Sequence, residues 1–161
     1  MAIARHIVDA ITLFRDLQPG SLERLAGLGT MRPVPSGTRL FELGGTADAF
    51  YVVTSGSVVL TMPIEIMGRR EDAFFEEVRP GDMFGWSALV SPHRYTMTAR
   101  AQVDSEVASW SGEAVRALVM SDTETGVRLL GNLSSIVCQR LHRVQAMWLR
   151  ELQRTVSARL T

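Results

Sequence analysis

The sequence predicts an α+β fold in which an antiparallel β-roll, of the jelly-roll kind, is framed by short N-terminal helices and a long C-terminal helix. Apolar residues recur every three or four positions at both ends of the chain, whereas the middle consists of short β-rich runs separated by glycine turns. The 161 residues, 46% of them hydrophobic, suffice for one core. We therefore expect a single domain over 1–161, with N-terminal helices over 1–30, the roll over 31–110 and C-terminal helices over 111–161.

The N-terminal segment predicts two short amphipathic helices. The pair Pro19-Gly20 is a turn signal, and we expect it to separate the two. The apolar positions that indicate the helices are Ile3, Ile7, Ile11, Phe14 and Leu17, followed by Leu22, Leu25 and Leu28.

The middle of the chain predicts six strands. Turn signals punctuate them at the spacing of a small sandwich or barrel, for example at Gly44-Gly45 and Pro80-Gly81. The predicted strands are Arg39–Leu43, Phe50–Thr54, Val58–Met62, Phe74–Val78, Tyr95–Ala101 and Val103–Trp110.

Helical spacing returns after Trp110, first over Glu113–Met120 and then over about 123–158. Ser121, with Glu124 three residues later, predicts a capping box at the start of the last helix. The apolar stripe of that helix consists of Leu130, Leu133, Val137, Leu141, Val144, Trp148, Leu152, Val156 and Leu160.

A helix of this length extends past a β-body of this size, so we expect part of the stripe to pair with a second copy of the chain. The alternative is that the stripe folds back over its own domain. Cys138 lies beside the stripe, and we expect it to be a packed small hydrophobe.

The residues after Pro80-Gly81 form the candidate ligand site, and we define the cassette segment as residues 81–101. Phe84-Gly85 precedes a predicted single helical turn whose first backbone N–H groups have no intrahelical partner and attract an anion. Arg94 is placed to bind the same anion. The alternative is that the glycines are turn residues and Arg94 is a solvated charge. The candidate binding residues are Phe84, Gly85, Trp86, Ser87, Ala88, Arg94, Tyr95 and Thr96.

Composition and residue spacing argue against several other functions. The three histidines lie far apart without Cys, Asp or Glu at ligand spacing, and no nucleophile signature is present, so we expect neither a metal site nor an enzyme. A formal net charge of zero argues against direct binding to nucleic acid. Interrupted apolar runs and a single cysteine favour the cytoplasm, with no membrane contact.

An ordered series of segments carries a family resemblance. The segments are Leu13-Phe14-x-x-Leu17, Leu22-x-x-Leu25-Ala26, Gly37–Gly44, Ala49–Val58, Pro80–Gly85, Ala88-Leu89 and Thr98–Ala101. Together they span about 110 residues and resemble the cyclic-nucleotide-binding domain family, which includes catabolite-activator-like regulators, kinase regulatory subunits and channel gating domains. The glycines occur in the family's order. The resemblance implies a β-roll and a cyclic AMP or cyclic GMP ligand, or another small anion.

Two positions depart from the family pattern. The family places a Glu for the ribose 2′-hydroxyl directly after Phe-Gly, where this chain has Trp86, and its phosphate-binding Arg falls opposite Tyr95 in an ungapped alignment. Arg94 takes that role if the intervening loop is one residue shorter. Altered or lost cyclic nucleotide affinity is expected, with Trp86 either plugging the pocket or lining a more apolar one.

Three functions remain open from the sequence. The first is a ligand-sensing regulatory domain, in which a ligand biases the hinge between the roll and the C-terminal helix, the bistable element of the family. The second is an unliganded module for dimerisation or protein interaction. The third is a transcription regulator, which requires a DNA-binding segment after the long helix and is expected only if the chain ending at Thr161 is a fragment of a longer protein.

Overall fold

The structure is a computed structural model that describes residues 3–160, and side chains for residues 3–159. Eight strands form two four-stranded antiparallel sheets, flanked by short helices and one long C-terminal helix. The predicted fold class is confirmed.

Along the chain, short N-terminal helices come first, the strands of the roll follow, and two helices end the chain. Helices are Arg5–Ala10 (α1), Pro19–Leu28 (α2), Gly112–Ser121 (α3) and Thr123–Leu160 (α4), with short 3-10 turns at Thr12–Phe14 and Trp86–Leu89. Strands are Gly29–Val34 (β1), Arg39–Phe41 (β2), Ala49–Ser55 (β3), Val58–Ile66 (β4), Arg69–Val78 (β5), Met83–Phe84 (β6), Thr98–Ala101 (β7) and Ser105–Ser111 (β8).

The two sheets have the orders β1-β8-β3-β6 and β2-β7-β4-β5. A cluster between the sheets is built on residues such as Val53, Phe84 and Val107. A larger cluster joins the first sheet to the helices around Trp110, whose indole N–H donates to the carbonyl of Leu25 at 2.8 Å. The helices therefore share a core with the roll.

The N-terminal helices and strands differ from the prediction in three places. Pro19 begins α2 instead of separating two helices, because a first helical residue needs no N–H partner. β1 and β6 were not predicted, since β1 contains Pro33 and β6 is only two residues long. The strand predicted from Tyr95 begins at Thr98.

The predicted capping box at the start of α4 is wrong. The Ser121 hydroxyl donates to the Leu118 carbonyl at the end of α3. Asp122 caps α4 instead, because its Oδ1 accepts from the Thr125 backbone N–H at 3.1 Å.

The first half of α4 packs on its own domain. Leu129 and Leu133 are buried, and the Asn132 amide donates to the carbonyls of Leu13 and Arg15 at 3.0 and 2.8 Å. The expectation that Cys138 is packed does not hold within the single chain, where it is exposed.

The second half of α4 carries exposed apolar residues. From residue 141 onward these are Leu141, Met147, Trp148, Leu149, Leu152 and Val156. The side chain of Leu160, the last predicted stripe position, lies outside the described residues. Pairing of this face with a second copy stays a prediction.

Candidate functional site

A small cavity lies between the cassette segment, the second sheet and α4, and we call it the cassette cavity. It measures about 30 Å³, room for only a few water molecules. Its lining consists of Phe41, Leu60, Gly85, Trp86, Ser87, Tyr95, Thr96, Met97 and Arg140.

Gly85 shapes the entrance to the 3-10 turn. Its φ of 74° lies in the left-handed region, and an added Cβ would come within 3.2 Å of the Phe41 ring and 3.3 Å of the Ala49 carbonyl oxygen. The chain therefore turns from β6 directly into Trp86–Leu89. The sequence predicts that the first N–H groups of this turn, those of Trp86, Ser87 and Ala88, face an anion, but the N–H of Ala88 donates to the Gly85 carbonyl at 3.1 Å and is not free.

Trp86 lies half-buried under a cation from α4. The guanidinium carbon of Arg140 is 4.3 Å from the centroid of the Trp86 ring, which is cation–π geometry. The indole therefore lines the cavity and contacts Arg140, which lines it as well.

Besides the Trp86 ring, Arg140 contacts two strands of the domain. Its Nε lies 2.8 Å from Oε2 of Glu76 on β5, and its Nη2 donates to the Met83 carbonyl at 3.3 Å. Burial lowers the pKa of the Arg140 guanidinium, while the charges of Glu76 and Asp82 act in the opposite direction. An arginine remains protonated in such surroundings, so the cavity wall carries a positive charge.

Tyr95 fills the opposite wall. Its ring stacks on Phe41 with centroids 3.7 Å apart, and its hydroxyl donates to the Ala49 carbonyl at 2.6 Å. Burial, together with Tyr51, raises the pKa of the Tyr95 hydroxyl well above its ordinary value. Tyr95 is therefore a neutral, fixed part of the wall.

The structure brings five of the eight predicted site residues to the cavity: Gly85, Trp86, Ser87, Tyr95 and Thr96. Phe84 and Ala88 are fully buried behind it. Arg94 points elsewhere, because its Nη1 donates to the Gly44 carbonyl at 2.9 Å and its backbone pairs with Thr46. Arg94 is not among the residues that line the cassette cavity in this structure, and its role as an anion-binding residue stays a prediction.

Sequence reasoning missed four lining residues: Phe41, Leu60, Met97 and Arg140. Phe41, Leu60 and Met97 belong to β2, β4 and the start of the β7 region, whose alternating pattern offers the signal that one face turns inward. Arg140 offers no such signal, because its place depends on how α4 crosses the roll.

Residues 31–122 match the family model described as cyclic nucleotide-binding domain. Among curated proteins, an uncharacterised NTE family protein of Mycobacterium tuberculosis is 31% identical over 104 residues, which are 65% of this chain and 17% of that protein. A cGMP-dependent protein kinase of Caenorhabditis elegans is 27% identical over 131 residues, 81% of this chain and 15% of the kinase. The chain thus matches only a small part of each relative's length.

Among solved structures, a cyclic nucleotide-binding domain from Methylobacillus flagellatus superimposes with a TM-score of 0.77 at 19% identity. The superposition covers 91% of this chain and 80% of that one. At this identity the likeness concerns the fold. No helix within residues 3–160 has the length and apolarity to cross a membrane, and the same residues hold no cluster of His, Cys, Asp and Glu suited to a metal ion.

Proposed function

The chain belongs to the cyclic nucleotide-binding domain family, and from this premise we propose that it is a non-catalytic regulatory domain that binds a small ligand in the cassette cavity. One observation carries the proposal: the cavity is lined both by the cassette segment and by Arg140 of α4. A ligand that binds one orientation of α4 better than another shifts the equilibrium between them. The signal then leaves through the C-terminal helix.

Our proposal for the ligand is a small anion with an apolar portion, bound in preference to cyclic AMP or cyclic GMP. Trp86 occupies the position where the resemblance puts a ribose-binding carboxylate, and Tyr95 the position of the phosphate-binding arginine in the ungapped alignment. The remaining volume of about 30 Å³ is far below the ~300–1,000 Å³ of usual small-molecule pockets. The apolar side chains of Leu60 and Met97 suit the apolar portion, and the Arg140 guanidinium suits the anion.

Calorimetric titration with cyclic AMP and cyclic GMP tests the role of Trp86. Trp86→Ala enlarges the cavity and leaves Arg140 in place, so we expect it to bind cyclic AMP more than about tenfold more tightly than the wild type does. Trp86→Glu restores the family residue, but a carboxylate there would pair with Arg140, which lies directly over position 86. Trp86→Ala therefore decides whether the Trp86 side chain restricts cyclic nucleotide binding, and Trp86→Glu is measured beside it for comparison.

Trp86→Phe is the matched control, because it keeps an aromatic ring under Arg140; it should remain close to wild type. Micromolar binding by the wild type, unchanged in Trp86→Ala, would contradict the proposed restriction and indicate a working cyclic nucleotide sensor. If no variant binds either nucleotide, the second candidate function gains support.

The second candidate is an unliganded module for dimerisation or docking. The observation that favours it is the exposed apolar residues of α4 beyond residue 140, together with a cavity of only about 30 Å³. We propose under both functions that this face pairs two copies of the chain, since a continuous apolar stripe on a projecting helix is typical of helix pairing.

We further propose a cytoplasmic location, a single domain over 1–161 and no direct contact with nucleic acid or membrane. Support comes from the formal net charge of zero, which provides no overall positive field. Cys138 is an exposed, unpaired thiol, as is usual in a reducing compartment.

A further inference from the structure

Arg140 separates two cavities. One is the cassette cavity, and the other, of about 70 Å³, lies between the end of α1 at Ile11, the turn at Asp82 and the α4 residues Gln139 and Arg143. Arg140 lines both. Any movement of this side chain therefore changes the size and the charge of the cassette cavity.

Glu76 holds Arg140 in this position. The side chain of Arg140 is 13% exposed and that of Glu76 is 18% exposed, and Nε lies 2.8 Å from Oε2. Attraction between charges this close is stronger where water is largely excluded. The Glu76–Arg140 pair thus links α4 to β5 across the edge of the cavity.

The carboxylate of Glu76 is incompletely bonded. Oε2 is buried and accepts no hydrogen bond from the described residues, because its contact with Arg140 lacks hydrogen-bond geometry. Oε1 instead accepts from Nη1 of Arg143 at 3.5 Å. Arg143 is largely exposed and would remain beside Glu76 if Arg140 turned away, so the carboxylate would keep a cation. An anion that bonds more completely to Arg140 can therefore displace Glu76 from it.

Arg140 is also the charged group through which the cavity meets an anion. Among the described lining residues none but Arg140 is an arginine or lysine, and Arg94 is occupied by the Gly44 carbonyl. A ligand anion that enters the cavity therefore meets the same guanidinium that Glu76 contacts.

We propose that Glu76 competes with the ligand for Arg140, so that an anionic ligand enters the cassette cavity by replacing Glu76 at the guanidinium and thereby releases α4 from β5. This inference rests on the proposed function, in which the cavity receives a small ligand. The ligand class is a phosphate or carboxylate, since a guanidinium binds both in the same planar, bidentate manner. The exchange couples occupancy of the cavity to the position of the output helix.

The test follows the Nε–Hε resonance of Arg140 by NMR in the full chain, assigned by its loss in Arg140→Lys. The protein is titrated with inorganic phosphate and, separately, with acetate, so that the two kinds of anion are distinguished. Glu76→Gln removes the competing charge at nearly constant volume, and we expect it to bind the preferred anion roughly tenfold more tightly than the wild type.

Glu77→Gln is the matched control. It is the neighbouring glutamate of β5 and pairs with Arg79 at 3.1 Å, so its affinity should equal that of the wild type. Glu76→Asp provides a second variant in case Glu76→Gln folds poorly. Its shorter side chain withdraws the charge from Arg140, so its affinity for the anion should lie between those of the wild type and Glu76→Gln.

Equal affinity in the wild type and the Glu76 variants would overturn the inference, as would anion-induced shifts at other arginines with none at Arg140. If Trp86→Ala binds cyclic AMP while the Glu76 variants bind the anions no more tightly, the inference fails and the proposed function stands. If neither titration shows binding in any variant, both are rejected.

Discussion

Asp122 joins α2 and α4 through one carboxylate. Its Oδ1 accepts from the backbone N–H of Thr125 at 3.1 Å, its Oδ2 from the Thr125 hydroxyl at 2.8 Å, and Arg24 of α2 forms an ion pair with it. The bonds from Thr125 and then from Arg24 lower the pKa of Asp122 to about 2. The charged form is therefore bound more favourably in the folded chain than in the unfolded one.

This lowered pKa predicts a pH-dependent contribution to stability. Because the folded pKa lies below the ordinary value, the contribution is complete above the ordinary value and is lost as pH falls toward about 2. We expect Asp122→Asn to be less stable than the wild type at pH 7, with the difference shrinking between pH 4 and pH 2. Urea unfolding of both proteins at several pH values between 7 and 2 measures this difference in the free energy of unfolding.

Asp72→Asn, on the exposed β4–β5 hairpin, is the control and should show the same stability difference from the wild type at every pH. A difference between Asp122→Asn and the wild type that stayed constant down to pH 2 would mean that the carboxylate is not preferentially stabilised in the folded state.

At the scale of elements, the two halves of α4 have different surroundings. Its first turns belong to the core of the domain, and Arg140 and Arg143 mark its last ionic contacts with β5. Beyond them Met147, Trp148, Leu149, Leu152 and Val156 are exposed. The helix therefore acts as part of the domain at one end and offers an interface at the other.

A charge placed on the exposed half should prevent pairing of two copies. Trp148 is 63% exposed, and Trp148→Glu introduces a carboxylate at the centre of the proposed interface. We expect a dimer for the wild type and a monomer for Trp148→Glu in sedimentation velocity. Ala146→Glu adds the same charge about 200° away around the helix and should remain dimeric. A monomeric wild type at micromolar concentration would contradict the proposed pairing.

At the scale of the whole molecule, one apolar cluster ties both ends of the chain to the roll. Residues from α1, from the Thr12–Phe14 turn, from β8 and from α4 share it, including Val8, Phe14, Trp110 and Leu129. Phe14 and Trp110 meet edge to face with ring centroids 5.3 Å apart. We expect the helices and the roll to unfold together.

Leu129→Ala tests this shared core. Leu129 has no exposed surface, so its truncation should lower the free energy of unfolding by about 2–5 kcal/mol, in a single urea transition followed by both far-UV circular dichroism and tryptophan fluorescence. Val127→Ala, at an exposed position of the same helix outside the proposed pairing face, should change it by less than about 0.5 kcal/mol. Two separated transitions would show that α4 unfolds independently of the roll.

Local patterns in the sequence sufficed for much of the fold. Helical spacing located α3 and α4 to within a residue or two, and β-rich runs located six of the eight strands. Glycine order and the Phe84-Gly85 pair placed the cassette turn. β1 and β6 escaped because their existence depends on pairing with β8 and β3, and not on their own composition.

The sequence by itself determined the family, the fold class, the turn at Phe84-Gly85 and the presence of Trp86 where the family pattern has a glutamate, because each is a property of residue type and order along the chain. Only the tertiary structure decided that Arg94 bonds to Gly44 and that Arg140 lines the cavity beside Trp86 and Glu76. The physical reason is separation along the chain: Arg140 lies 64 residues from Glu76 and 54 from Trp86, and a contact of that kind exists only once α4 has packed across the roll.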